Sequence, residues 1–100
     1  MNRNMMRQMQ QLQTKLEKAK EELNHKSVEG TAGGGAVAIV MDGHQRVLDV
    51  RIARDAVDPD DVETLQDVVL AATNDAMEKS QEMAAKHLNV VTGGLGLPGM

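Results

Sequence analysis

Apolar residues recur through the first quarter of the chain at Met5, Met9, Leu12, Leu16, Ala19 and Leu23, with spacings of 4, 3, 4, 3 and 4. A 3.5-residue period keeps one face of a helix turned toward another helix, so the stripe predicts an α-helix from about residue 3 to Lys26. Gln, Lys, Glu, Met and Leu dominate this segment, and neither Gly nor Pro interrupts it. Beyond Asn24, His25 and Ser27 the period changes to two. Val37, Ile39 and Met41 alternate with Ala38 and Val40, and Leu48, Val50 and Ile52 alternate with Asp49 and Arg51. This pattern predicts two strands joined by a turn at Asp42-Gly43. A shorter strand, Val28 to Ala32, precedes them, set off by Gly33-Gly34-Gly35, whose backbones reach positive φ without steric cost.

A second helix is expected with Asp58 as N-cap, Pro59 at its first helical position, and Asp60 and Asp61 completing an acidic first turn. It should persist to about Leu88. Its stripe of Val62, Leu65, Val69, Ala72 and Ala76, widened by Val68, Leu70 and Met83, is expected to cover the sheet. Residues 92–100 hold four glycines and a proline, which predicts a tail that is flexible or ordered only against a partner. The fold class is therefore α+β, one domain over residues 1–91: an N-terminal helix, a three-stranded antiparallel meander and a C-terminal helix.

Composition points toward assembly. The 100 residues include no Phe, Tyr or Trp, and eleven of the apolar residues are Ala, so the core of a single chain is thin and a subunit interface is expected to supply more burial. The absence of cysteine excludes disulfides, a zinc ribbon and a thiol nucleophile. No apolar run approaches the roughly 18–20 residues of a membrane span, and the polar start of the chain lacks a signal peptide's apolar core. A cytoplasmic protein without a membrane partner is expected.

Candidate chemistry is sparse. His25, His44 and His87 lie on three different elements without a metal-binding i, i+4 pairing, and are expected to be exposed and unpaired. Asp58, Asp60 and Asp61 fail as a calcium loop, because Pro59 interrupts them and the loop's glycine and glutamate are missing. No Lys-Ser/Thr pair follows the triple glycine to make a phosphate cradle, and neither Ser27 nor Ser80 has a local triad pattern. The expectation is a non-enzyme with no cofactor, metal or small-molecule substrate.

Charge is distributed unevenly. Residues 1–26 hold six basic against three acidic residues, a balance of +3, and residues 27–100 hold five against twelve, a balance of −7, giving the net charge of −4. The first sixteen residues contain no acid, although a helix N-terminus favours anionic side chains by roughly 0.3–1 kcal/mol each. Pairs such as Lys18 with Glu22 would explain the second half of the helix as an ordinary solvated flank. Arg3, Arg7 and Lys15 have no acid three or four residues away, which points to an anionic partner outside the chain.

The Met/Gln/Lys-rich first helix, Val28-Glu29-Gly30, Ala32-Gly33-Gly34-Gly35, Met41-Asp42-Gly43, Asp58-Pro59-Asp60-Asp61-Val62-Glu63-Thr64-Leu65, Ala71-Ala72-Thr73-Asn74-Asp75-Ala76 and Thr92-Gly93-Gly94-Leu95-Gly96-Leu97-Pro98-Gly99 occur in this order. Together they resemble the YbaB/EbfC family of bacterial nucleoid-associated proteins, over essentially the whole chain. The resemblance implies a tweezer-like α+β homodimer that binds double-stranded DNA through helical arms, in nucleoid organisation or gene regulation. By element and charge it places Arg3, Arg7, Lys15, Lys18 and Lys20, with Lys79 and Lys86 of the second helix, near DNA. The alternative is a protein-interaction adaptor that docks a partner on the stripe Met5, Met9, Leu12, Leu16 and Leu23, methionine being suited to irregular apolar surfaces.

Overall fold

The structure, a computed structural model, describes the backbone of residues 2–92 and the side chains of residues 2–91. The tail expected over residues 92–100 lies outside the described residues, apart from the backbone of Thr92, which ends a helix. The elements follow the expected order: α1 (Arg3–Glu22) continued by a 3-10 turn (Leu23–His25), β1 (Ser27–Ala32), β2 (Val37–Asp42), β3 (Val47–Ile52), a 3-10 turn (Arg54–Ala56) and α2 (Val62–Thr92). The molecule is elongated, 69 × 23 × 16 Å.

Asn2 starts α1 as its N-cap, its side chain accepting a hydrogen bond from Met5 N at 2.8 Å. The strands form one antiparallel sheet in the order β1-β2-β3, with Gly30 opposite Ile39 and Ile39 opposite Val50. Gly33, Gly34 and Gly35 all have positive φ, at 65°, 67° and 91°, so the β1–β2 turn needs three residues free of a Cβ penalty. The β2–β3 turn falls at Asp42-Gly43, but its left-handed residue is Gln45, with φ of 63°. Asp42 N bonds Arg46 O at 2.9 Å, closing a three-residue loop that ends on the left-handed residue. A register shift between Val40 and Met41 leaves Leu48 as a bulge.

α2 starts later than the sequence suggests. Asp58 closes a local turn, accepting from Asp60 N at 2.9 Å, and Pro59 lies in that turn rather than in the helix. Asp61 is the cap: its carboxylate accepts from Thr64 N at 3.3 Å and Thr64 Oγ1 at 2.7 Å. The helix then runs past Leu88 to Thr92.

The core is small. Val37, Ile39 and Met41 of β2 pack against Ala72 and Ala76 of α2, with Val28, Ala32, Leu65, Val68, Val69 and Met77 around them. Small residues let α2 approach the sheet closely: a Cβ on Gly30 would collide with Ala76 N and stand 2.5 Å from Ala72 O. The stripe expected to cover the sheet is only partly used, since Val62 and Leu70 are exposed. α2 sits over β1 and β2, and every residue of β3 is exposed, including Val47, Val50 and Ile52.

Gly30→Ala should therefore destabilise the fold by about 3 kcal/mol, at the upper end of ordinary overpacking, because the obstacle is helix backbone that cannot rotate away. Urea unfolding followed by circular dichroism checks this; a midpoint equal to that of the unsubstituted chain would refute the close approach.

Candidate nucleic-acid interface

The helix that carries the candidate interface is anchored where α1 leaves the sheet. Asp42, fully buried at the end of β2, accepts hydrogen bonds from His44 N at 2.8 Å, Arg46 N at 3.0 Å and Arg46 Nε at 3.0 Å. Ser80 of α2 donates to Asp42 O at 2.5 Å, and Gln45 Nε2 donates to Ser80 Oγ at 3.0 Å. The same turn grips the end of α1: Gly43 N donates to Leu23 O at 2.9 Å, and His44 Nε2 lies 2.7 Å from Lys20 O. A carbonyl only accepts, so His44 carries its proton on Nε2 and caps one of the helix's last free carbonyls. The backbone N–H of Arg46, followed by the Arg46 side chain, the His44 N–H and the Arg46 charge, holds the Asp42 carboxyl below the usual carboxylate range; burial acts in the opposite sense.

From this root α1 and α2 rise side by side in opposite chain directions. Leu23 and Ala19 are buried, Leu12 and Leu16 half-buried, and Met9 and Met5 are 57% and 52% exposed. His87 Nε2 lies 3.9 Å from Glu22 Oε2, so with equal rise per residue α2 ends about level with Glu17. The start of α1 stands beyond it by about 21 Å, at 1.5 Å per residue.

At about 100° per residue, Arg3, Arg7, Lys15 and Lys18 share an arc of about 120° on the side of α1 away from the seam. Arg7 and Lys15 border one shallow surface with Gln10, Gln11 and Thr14. Lys20 falls outside that arc, at the root. None of these five cations makes an ion pair among the described residues, and the anticipated Lys18–Glu22 pair is not formed. The cations of α2 differ: Lys79 Nζ is 3.0 Å from Asp75 Oδ2 and also donates to Glu29 O at 3.1 Å, and Lys86 Nζ is 3.0 Å from Glu82 Oε1. The two groups of cations therefore lie on separate helices, one free and one neutralised. Both α2 lysines line a groove with Lys26, Glu29, Glu82 and His87.

The model of the YbaB/EbfC DNA-binding family matches residues 1–95. The chain belongs to this family. Similar proteins include a nucleoid-associated protein of Syntrophobacter fumaroxidans, 50% identical over 97 residues, spanning 97% of this chain and 88% of that protein. Another, from Bacillus cytotoxicus, is 53% identical over 96 residues, spanning 96% of this chain and 88% of that one. The fold is also that of an uncharacterised Helicobacter pylori protein, with a TM-score of 0.74, 19% identity, and coverage of 95% and 98% of the two chains. YbaB/EbfC is a DNA-binding family rather than an enzyme class.

Within this YbaB/EbfC chain the histidines depart from expectation. His25 is exposed, but His44 caps α1, and the buried Nε2 of His87, 3.9 Å from Glu22 Oε2, has no hydrogen-bond partner among the described residues. The outer edge of β1 is closed by α2, since Thr31 N donates to Asp75 Oδ2 at 2.9 Å. That bond, together with the Lys79 ammonium, holds the Asp75 carboxyl below its usual range against a smaller opposing effect of burial.

Two carboxyls with depressed folded values bind protons more readily when unfolded. Their stabilisation is complete above the ordinary carboxylate value of 3.8 and is lost as pH falls through the folded values. Stability should therefore fall on acidification below about pH 4. Asp42→Asn should cost about 1.5–3 kcal/mol at neutral pH, the range for hydrogen bonds to a charged group, and should flatten the acid limb. Urea midpoints across pH check both; a parallel acid limb in the variant would refute the assignment to Asp42.

Proposed function

We propose that this chain is a nucleoid-associated protein that binds double-stranded DNA as a homodimer, through the basic face of α1, in nucleoid organisation or gene regulation. The observation that carries this reading is the basic face of Arg3, Arg7, Lys15 and Lys18, where the first sixteen residues of the chain contain no acid, on a helix whose start stands clear of the body, in a chain of a DNA-binding family. A helix of this diameter fits a major groove about 12 Å wide. Phosphate contacts provide most of the affinity, and Lys79 and Lys86, already paired with acids, contribute less than the α1 cations. The nucleoid is the matching location. No described helix is long and apolar enough to cross a membrane.

The homodimer reading rests on uncovered apolar surface. Val50 and Ile52 lie on the same sheet face as the core residues Ile39 and Val37, yet α2 stops short of them. α2 also presents a largely apolar surface lined by Leu65, Gln66, Val69, Leu70 and Thr73. A second copy of α2 has the dimensions and the apolar stripe to cover β3, and two-fold symmetry would satisfy both chains at once. A dimer duplicates every arm charge, so a few cations per chain suffice for salt-dependent binding. The exposed Met5 and Met9 favour the adaptor reading as the alternative.

The triple substitution Arg3→Gln, Arg7→Gln, Lys15→Gln should weaken duplex binding by about tenfold or more in 0.1 M salt and reduce the salt slope by about one per lost contact. Fluorescence anisotropy on several unrelated duplexes at two salt concentrations measures this, and unchanged affinity and slope would reject the α1 assignment. Val50→Asp with Ile52→Asp should convert the dimer to monomer in sedimentation equilibrium while retaining the helical circular dichroism spectrum. A dimer that survives the pair of charges would exclude the β3 face.

A further inference from the structure

Between Arg3 and Lys18, the arc of α1 that faces away from the seam holds the four cations Arg3, Arg7, Lys15 and Lys18 and three uncharged side chains, Asn4, Gln11 and Thr14. The uncharged three are not equivalent. Thr14 Oγ1 donates its proton to Gln10 O at 3.0 Å, within its own helix. Asn4 lies in the first turn, with cations to one side of it only. Gln11 stands one turn after Arg7 and one turn before Lys15, with the two cations about 40° to either side of it around the helix axis. All three line the same shallow surface. The Gln11 side chain is exposed, and its amide has no hydrogen-bond partner among the described residues.

We propose that Gln11 reads an adenine in the major groove, its amide oxygen accepting from the N6 amino group and its amide nitrogen donating to N7. This rests on the duplex-binding reading above and adds the base that the arm recognises. Guanine shows two acceptors on the same edge, so the amide oxygen would meet O6 and the pairing fails. Arg7 and Lys15 reach phosphates on either side and fix the register of the amide between them, since backbone contacts position and base contacts specify. The helix supports this role. Gln11 is in its interior, next to the half-buried Leu12 of the seam, and stands about 9 Å beyond the level at which α2 ends, so the second helix does not keep a duplex from it. Of the other glutamines, Gln8 and Gln10 fall outside the arc and Gln13 points away from it.

Because Gln11 is uncharged, its contribution separates from the salt-dependent phosphate contacts. Selection of the full chain against a pool of random duplexes should enrich sites that share an adenine, and replacing that A·T pair by G·C should weaken binding about tenfold in fluorescence anisotropy. Gln11→Ala should abolish the difference between the two duplexes without altering the salt slope, whereas Gln13→Ala should keep it. A duplex carrying 7-deazaadenine at the selected position lacks the N7 acceptor but pairs normally. It should bind the unsubstituted chain about fivefold more weakly and the Gln11→Ala chain no differently. A preference that survives Gln11→Ala, a loss of preference in Gln13→Ala as well, or indifference of the unsubstituted chain to 7-deazaadenine would overturn the assignment. Binding to all duplexes with no shared adenine would remove this readout alone, and failure to bind any duplex at low salt would remove it together with the reading it rests on.

Discussion

The buried carboxylate of Asp42 holds a turn whose other atoms bind both helices, and the position of α1 depends on that arrangement. Three donors from His44 and Arg46 close on the carboxylate, Ser80 of α2 donates to its backbone carbonyl, His44 holds the Lys20 carbonyl in the last turn of α1, and Gly43 holds that of Leu23 just after it. Burying a charged group is costly unless it is fully hydrogen-bonded, so the site is stable in only one arrangement of the turn. Through that arrangement, sheet, α1 and α2 share one fixed point at the foot of the arm. The thin apolar core, lacking aromatics, does not by itself dictate how α1 leaves the body.

On the proposed reading, the arm answers the electrostatic difficulty of an acidic chain in a DNA-binding family. The body carries most of the negative charge, and its cations are largely tied to acids: Arg46 to Asp42, Arg51 to Asp49, Lys79 to Asp75 and Lys86 to Glu82. The start of α1 stands about 21 Å beyond the end of α2, roughly two Debye lengths at 0.1 M salt. On the proposed reading, phosphates approaching Arg3 and Arg7 would be screened from the acidic body. Net charge governs solubility and long-range steering, whereas binding at these ionic strengths is decided by the local face.

The fold was legible because its local signals agree. A period of 3.5 followed by a period of 2, the three glycines before β2, and the alternation of β2 and β3 each specify their element without tertiary help. The start of α2 was misplaced because Asp58-Pro59 and Asp61 are both good N-cap signals, and only the hydrogen bonds to Thr64 distinguish them. Val62 and Leu70 belong to the same apolar periodicity as the core residues, and sequence spacing does not reveal that one helix covers only two strands. Of the site, the cations of α1 could be read from the absence of acids, but the neutralisation of Lys79 by Asp75 and the Asp42 network join residues far apart in the chain. The one local trace of that network was a carboxylate ending an apolar strand beside a glycine.

The central claim is that the α1 face away from the seam meets DNA while the sheet does not. Because the chain has no cysteine, a photoactivatable crosslinker can be placed singly at Gln11→Cys on that face and at Asp49→Cys on β3. With a labelled duplex at low salt, strong crosslinking from position 11, little from position 49, and loss of the position 11 product as salt rises is the expected pattern. Crosslinks from position 49 that match or exceed those from position 11 would contradict it.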